Sequence, residues 1–441
     1  MSSATRTLAI PDLSLVALVG PSGCGKSTFA RAHFRPTEIL SSDFFRGLVS
    51  DDENDQGATR AAFESLHFVA ARRLEYGRLA VIDATNVQPE ARAPLVALAR
   101  EHDVMAVAIV LNIPEELCRA RDEERTERNV GPDVIRVQAE RMRQSLRVLQ
   151  GEGFRRVHVL NTPEEVAAVR IVREPLPPDR RGDHGPFDIV GDVHGCADEL
   201  EALLALLGYS PGDDGAWRHP AGRRLVFLGD LVDRGPRVPD VLRIAMATVG
   251  AGAGLCVPGN HDAKLVRALR GKNVKLLHGL DRSMAQLDEE TPEFRRRVAA
   301  FLDGLPSHYV LDGGRLVVAH AGLKEHMQGR ESGRIREFAL YGDTTGEVDE
   351  LGLPVRLDWA ADYRGRAAVV YGHTPMAAPV WVNDTINIDT GCVFGGRLSA
   401  LRWPEQEVVS VPARERYAET KRRFLPEDEA EAAALGPASD G

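Results

Sequence analysis

The stretch Leu15-Val16-Ala17-Leu18-Val19-Gly20-Pro21-Ser22-Gly23-Cys24-Gly25-Lys26-Ser27-Thr28 decides the fold of the first part of the chain. Five apolar residues read as a buried strand. The run after them fits Gly-x4-Gly-Lys-Ser/Thr at the point where a strand hands over to a helix. Glycines there let backbone N–H groups point inward around a phosphate, and the helix N-terminus that follows favours anions. Gly20, Gly23, Gly25, Lys26, Ser27 and Thr28 are therefore candidate nucleotide-binding residues. Lys26 would reach the β- and γ-phosphates and Ser27 would hold Mg²⁺. A tight turn without nucleotide is the weaker reading, because every fixed position of the pattern is present.

Working outward, Glu38–Leu40, Leu79–Ile82, Val104–Leu111 and Val157–Leu160 are further short β-type runs separated by longer helical stretches. That alternation predicts a parallel sheet with crossover helices. Ser41-Ser42-Asp43-Phe44-Phe45-Arg46 follows one of these runs. Asp43 is placed either to take a proton from an acceptor hydroxyl or to cap a helix. Arg46, one turn later, could hold an acceptor phosphate. Asp83, which ends another run, could support Mg²⁺ or cap the next helix. Arg121, Arg125 and Arg128 fall on one helical face. They could neutralise charge in phosphoryl transfer, or belong to a solvated, salt-bridged helix with Asp122, Glu123, Glu124 and Glu127.

The segment Arg173–Pro186, with four prolines and many charges, reads as a linker. Beyond it, Phe187–Val190, Arg224–Leu228, Gly254–Val257, Leu316–Ala319, Ala367–Val370 and Thr385–Ile388 are strand candidates, nearly all ending in Asp, His or Asn. Five blocks follow these strands: Gly191-Asp192-Val193-His194-Gly195, Gly229-Asp230-Leu231-Val232-Asp233-Arg234-Gly235, Gly259-Asn260-His261-Asp262, His320, and Gly372-His373-Thr374. Carboxylate, imidazole and amide ligands in this mixture suit divalent ions such as Mn²⁺, Fe²⁺ or Zn²⁺. Two ions ~3.5–4 Å apart, with one carboxylate bridging them, would activate water and neutralise both sides of an in-line displacement.

The chain has 441 residues, enough for two or three domains. Its apolar content of 43% and charged content of 27% exclude a disordered chain or a fibre. The formal charge of −10 means that nucleic acid could be held only on a local basic surface. No apolar window is long enough to span a membrane, and no secretory signal opens the chain, so a cytoplasmic protein with no membrane partner is expected. The five cysteines are scattered without a CxxC pair, which points to reduced structural thiols. The acidic, Ala-rich stretch from about Tyr417 reads as a solvated tail.

In their order, the later blocks resemble the calcineurin-type metallophosphoesterase superfamily. The first half resembles P-loop polynucleotide kinases, and the two together resemble bacterial polynucleotide kinase-phosphatases of RNA repair. The resemblance runs from about Leu13 to beyond Val393 and includes the long stretch Ser41–Gln56. It implies a P-loop kinase domain over residues 1–170 (a parallel α/β sheet with helices on both faces), a linker over 171–186, an αββα metallophosphoesterase sandwich over 187–411 and a charged tail over 412–441. It also implies roles. Asp43 would be the general base, Arg46 an acceptor-end contact, and Arg121 and Arg125 lid arginines. Asp192 and His194 would hold one metal, Asp230 would bridge, and Asn260, His320 and His373 would hold the other. His261 would be the general acid, Arg234 a phosphate clamp and Asp389 a supporting carboxylate.

Expected cofactors are Mg²⁺ with ATP or another NTP, and two divalent ions, Mn²⁺ by resemblance. The expected substrates are RNA ends, or DNA ends. Full-length family members carry a third, ligase-like domain with a Lys-x-Asp-Gly nucleophile. No such tetrapeptide occurs here, so a separate RNA ligase subunit is an expected partner. The rival reading keeps the chemistry and changes the substrates: a small-molecule kinase fused to a diadenosine tetraphosphatase or a protein Ser/Thr phosphatase.

Overall fold

A computed structural model describes residues 6–124, 129–348, 350 and 354–420. They form two compact units. One contains the chain up to Leu176 together with Arg330–Ser332; the other contains Pro177–Gly329 and the chain from Gly333.

The first unit is built on a five-stranded parallel sheet. Its order is Ile39–Ser41, Ala80–Asp83, Ser14–Val19, Met105–Leu111 and Arg156–Leu160. The central strand is buried on both faces, which is why it reads as an unbroken apolar run. Leu15, Ala17 and Val19 pack on one side with Leu66, Leu74 and Leu95. Val16 and Leu18 pack on the other with Phe29, Cys118 and Ile135. Helices Lys26–His33, Ser42–Ser50, Thr59–Glu75, Pro89–Glu101, Glu115–Glu123 and Pro132–Ser145 supply the crossovers. A separate parallel pair joins Thr7–Pro11 to Arg170–Glu174. Thr7–Pro11 has no charge, but its partner Arg170–Glu174 carries three and overlaps the segment read from the sequence as a linker, which hides the pair.

The second unit is a sandwich of two five-stranded mixed sheets. One runs Gly254–Cys256, Arg224–Phe227, Phe187–Val190, Arg397–Trp403, Glu407–Pro412, with the last two antiparallel. The other runs Tyr309–Leu311, Leu316–Val318, Ala368–Tyr371, Thr385–Asn387, Trp381–Val382. Side chains of period two split each sheet between an inner and an outer face. Phe187, Ile189 and Val226 meet Leu316, Val318 and Val370 between the sheets. Val190, Leu225 and Phe227 pack outward on Leu200, Leu203, Val241 and Leu242. Val317 and Val369 pack outward on Ile335, Phe338 and Trp359. The result is an αββα arrangement. The loops carrying the Asp, His and Asn blocks leave the ends of Phe187–Val190, Arg224–Phe227, Gly254–Cys256, Leu316–Val318 and Ala368–Tyr371. No described helix is long and apolar enough to cross a membrane.

Candidate active sites

In the first unit the loop after Ser14–Val19 turns into helix Lys26–His33. Gly23 has φ +79°, and a Cβ there would fall 2.2 Å from the Cys118 carbonyl oxygen, so only glycine fits. The loop holds its lysine close: Lys26 Nζ donates to the carbonyls of Gly20 (2.9 Å) and Pro21 (2.8 Å). The Asp83-Ala84-Thr85-Asn86 run braces the loop from the neighbouring strand. Gly20 N–H donates to the Thr85 carbonyl (3.0 Å), and the Asn86 amide donates to the Leu18 carbonyl (2.8 Å).

Asp83 is hydrogen-bonded to Ser27, and burial raises its pKa. It caps nothing, since the next helix starts at Pro89 with Gln88 as its N-cap. Two oxygens suited to Mg²⁺, from Ser27 and Asp83, therefore sit together beneath the phosphate loop.

Asp43 lies in the first turn of Ser42–Ser50, whose N-cap is Ser41. Its carboxylate pairs with Arg46, a buried guanidinium that also donates to the Glu53 carbonyl (2.8 Å). Burial is the main cause that raises Asp83, and the charge of Asp43 adds to it. Arg121 reaches over the loop, with Nη1 3.7 Å from where a Gly25 Cβ would stand. Its helix ends at Glu123, and Arg125 lies outside the described residues. A cavity of about 490 Å³ adjoins the loop, lined by Thr85, Asn86, Gln138 and Arg141 among others. Gln138 accepts from the Ser22 N–H (2.7 Å).

In the second unit the blocks converge around Asp230. Its Oδ2 is 3.6 Å from His194 Nε2 and 3.5 Å from His320 Nε2. His320 Nε2 lies 3.1 Å from Asn260 Oδ1 and 3.0 Å from His373 Nδ1. Asp192 accepts from the His373 N–H (3.1 Å) and stands 4.0 Å from His320 Nδ1. Ligand atoms of His194, Asp230 and His261, and of Asp230, His320 and His373, fall within 4.8 Å of one another.

The tautomers follow from the partners. His194 Nδ1 donates to the Val232 carbonyl (2.8 Å), and His320 Nδ1 donates to the Leu228 carbonyl (3.2 Å). The Nε2 lone pairs of both rings therefore face the cluster. A set of lone pairs turned on one another at about 3 Å suits a cation at its centre, and the mixture of carboxylate, imidazole and amide suits a borderline divalent ion.

The electrostatics agree. Burial, then Asp389 and Asp230, push Asp192 well above the carboxylate range. Burial pushes Asp230 and Asp389 up to about 7 and His320 down to about 3. Each group resists its charged form until positive charge enters for the carboxylates and a Lewis acid for the rings.

Beside the cluster, His261 Nδ1 is 2.6 Å from Asp233 Oδ2, and Asp233 Oδ1 accepts from Ser283 Oγ at 2.6 Å. Arg234 projects one nitrogen to His194 Nε2 and the other to His261 Nε2 (2.8 Å), under the Phe394 ring. Asp262 clips two loops together by accepting from Leu231 N–H (3.0 Å) and Gly259 N–H (2.9 Å). At Gly259 a Cβ would lie 2.0 Å from Asp230 Oδ1, which makes glycine obligatory there. His194, Asp230, Asp233, Arg234 and His373 all take positive φ, from 45° to 73°. A cavity of about 660 Å³ opens over the cluster, bordered by His278, Tyr341, Arg356, Asp389 and Phe394 among others.

All nine residues singled out from the sequence of this half thus meet in one place. Reading the sequence missed two. Asp233 stood inside a quoted block without a role; its spacing of three from Asp230 was the available signal. Arg356, on a short strand between blocks, has no motif around it.

A phosphate-loop unit on a parallel sheet, followed by a sandwich with a buried His/Asp/Asn cluster, is a P-loop, kinase-like domain joined to a metallophosphoesterase. The chain belongs to the calcineurin-like phosphoesterase family, whose model matches residues 185–408; a model described as an AAA domain matches residues 15–149. The asymmetrical bis(5′-nucleosyl)-tetraphosphatase PrpE of Anoxybacillus flavithermus is 46% identical over 241 residues, 54% of this chain and 98% of that one. Its namesake in Bacillus subtilis is 47% identical over 241 residues, again 54% of this chain and 98% of the relative. A structure of the Pnkp1/Rnl/Hen1 RNA repair complex aligns at 22% identity with a TM-score of 0.28, covering 33% of this chain and 48% of that one.

Proposed function

We propose that the chain heals both ends of a broken polynucleotide. The P-loop unit would transfer an NTP γ-phosphoryl to a 5′-hydroxyl, and the metallophosphoesterase would hydrolyse 2′,3′-cyclic phosphate and 3′-phosphate ends. The observation that carries this reading is the Asp43–Arg46 pair beside the phosphate loop. An NTPase needs only the loop, Mg²⁺ ligands and water. A carboxylate held ready by a buried arginine provides for an acceptor alcohol and its neighbouring phosphate. The resemblance of the Ser41–Gln56 stretch to polynucleotide kinases supports a nucleic-acid acceptor.

In the kinase step Lys26 and the loop N–H groups grip the donor phosphates. Ser27 and Asp83 would hold Mg²⁺, Asp43 takes the proton from the attacking 5′-hydroxyl, and Arg121 neutralises the transferring group. In the esterase Asp192, His194, Asp230, Asn260, His320 and His373 would hold two divalent ions, which when bound polarise the scissile phosphate and the attacking water. Arg234 clamps the phosphate oxygens. His261, oriented by Asp233, hands a proton to the leaving oxygen, while Asp389 supports the site from its far wall.

The identity of 46% to a tetraphosphatase favours a second reading of the esterase, in which a dinucleoside polyphosphate is cleaved. One experiment separates them. The purified chain is given RNA with 5′-hydroxyl and 2′,3′-cyclic phosphate ends, ATP and Mn²⁺, and in parallel diadenosine tetraphosphate. Phosphorylation and cyclic-end opening at rates exceeding tetraphosphate cleavage support end healing. Inert RNA with rapid tetraphosphate cleavage would refute it.

A further inference from the structure

A further group of side chains whose atoms suit a metal ion is made of residues outside the phosphoesterase ligand set. Cys196, Glu199 and Cys392 each offer a ligand atom, all within 4.8 Å of one another. The three residues are 0%, 1% and 1% exposed. Cys196 is the N-cap of helix Ala197–Leu206 and stands two residues past His194. Glu199 is in the first turn of the same helix. Cys392 opens the short turn Cys392–Phe394, three residues past Asp389. The two thiols are 196 positions apart in the chain, so no spacing pattern could have joined them.

Glu199 is the anomaly. Its Oε1 accepts from the Arg414 N–H (2.9 Å) and the Tyr417 hydroxyl (2.8 Å). Its Oε2 is buried with no hydrogen-bond partner among the described residues. A buried carboxylate oxygen left this way is costly. The two thiols of the group are weak donors, and that of Cys196 is already directed to the His194 carbonyl (3.9 Å). Two sulfurs and one carboxylate oxygen form a softer set than the oxygen- and imidazole-rich cluster around Asp230, and select an ion of the zinc class. Around such an ion the ligand atoms lie about 3.5–3.8 Å apart, so closing the set needs movements of about an ångström. A fourth position would fall to water or to the Tyr417 hydroxyl.

We propose that Cys196, Glu199 and Cys392 form a third metal site, for one thiophilic divalent ion, that ties the loop bearing His194 to the loop bearing Asp389. Binding releases the two thiol protons to solvent and leaves two thiolates and a carboxylate on the ion. The ion is structural: it has no opening to substrate and holds two walls of the neighbouring site in register.

The test uses the full chain, stripped with chelator and titrated with Co²⁺. Cobalt at the His/Asp/Asn cluster has no sulfur ligand. Cobalt at the proposed site must show thiolate-to-metal charge-transfer absorption in the near ultraviolet. The wild type should show this band. C392S should lose it while still binding cobalt at the phosphoesterase cluster. C118S, whose sulfur lies in the other unit, should keep it. Glu199→Gln should keep the band but lose the ion sooner to chelator. Cobalt uptake without the band in the wild type overturns the proposal, as does loss of the band in C118S or a Cys196–Cys392 disulfide in the freshly purified chain. The wild-type and C118S results decide the matter even if C392S does not fold.

Discussion

Replacing Asp233 by Asn tests the reading of His261 as the group that protonates the leaving oxygen. Asp233 is fully buried, its carboxylate 2.6 Å from His261 Nδ1 and 2.6 Å from Ser283 Oγ. Asn keeps the shape and can still accept one hydrogen bond, so the fold should survive. What disappears is a negative charge facing the ring as it carries its proton. With charge centres about 4 Å apart and an effective permittivity of about 20, that attraction is about 4 kcal/mol. At roughly 1.4 kcal/mol per decade, the loss is about two to three decades in rate once relaxation of the site is allowed for.

The loss should depend on the leaving group. An alkyl phosphate or a nucleoside 2′,3′-cyclic phosphate departs as a basic alkoxide and needs the proton; p-nitrophenol departs without one. The assay is therefore kcat for D233N on both substrate types under saturating Mn²⁺. The cyclic phosphate should slow by ~10²–10³ and p-nitrophenyl phosphate by less than ~10. Kinase activity should be unchanged. Equal losses on both substrates would refute the reasoning, since they would mean that Asp233 acts on metal affinity or packing rather than through proton delivery.

Three further outcomes are expected. Asp43→Asn should lower 5′-phosphorylation by at least ~10² while cyclic-phosphate hydrolysis continues, measured on one doubly modified oligonucleotide. Gly23→Ala must accommodate a methyl 2.2 Å from the Cys118 carbonyl oxygen at φ +79°, so nucleotide binding should be lost, as read by ATP-analogue titration, with the esterase intact. Glu38 is buried, which raises its pKa, but Arg173 (2.6 and 2.8 Å) and the Arg35 N–H outweigh burial and hold it below its ordinary 4.5. That stabilisation is present above the unfolded value and disappears as pH falls through the folded one. Glu38→Gln should therefore cost about 1–3 kcal/mol at neutral pH and flatten the dependence of Tm on pH below about 4.5.

The sequence revealed those parts of the molecule in which one residue type has one physical use. The central strand Ser14–Val19 is apolar throughout because both its faces are covered, and the phosphate loop shows because only glycine tolerates its turns. The ligand blocks show because each sits where a buried strand meets a tight loop. Other parts were hidden by ordinary composition. Arg397–Trp403 and the edge strand Glu407–Pro412 mix apolar with polar and charged residues without a clean period, and Thr7–Pro11 finds its partner more than 150 residues away. Arg356 reached the pocket through tertiary packing alone. The weakness of Asp83 as a sequence signal was also physical: a carboxylate at a strand end serves equally as a helix cap until the following helix is seen to start six residues on.

The left-handed backbone at His194, Asp230, Asp233, Arg234 and His373 has an evolutionary corollary. Each of these side chains occupies a conformation that disfavours it by about 1–2 kcal/mol relative to glycine. A population of variants sorted purely for resistance to heat would drift toward glycine at these five positions and shed its catalyst as it toughened. Breeding a hardier version of this molecule therefore requires that turnover be screened in the same round.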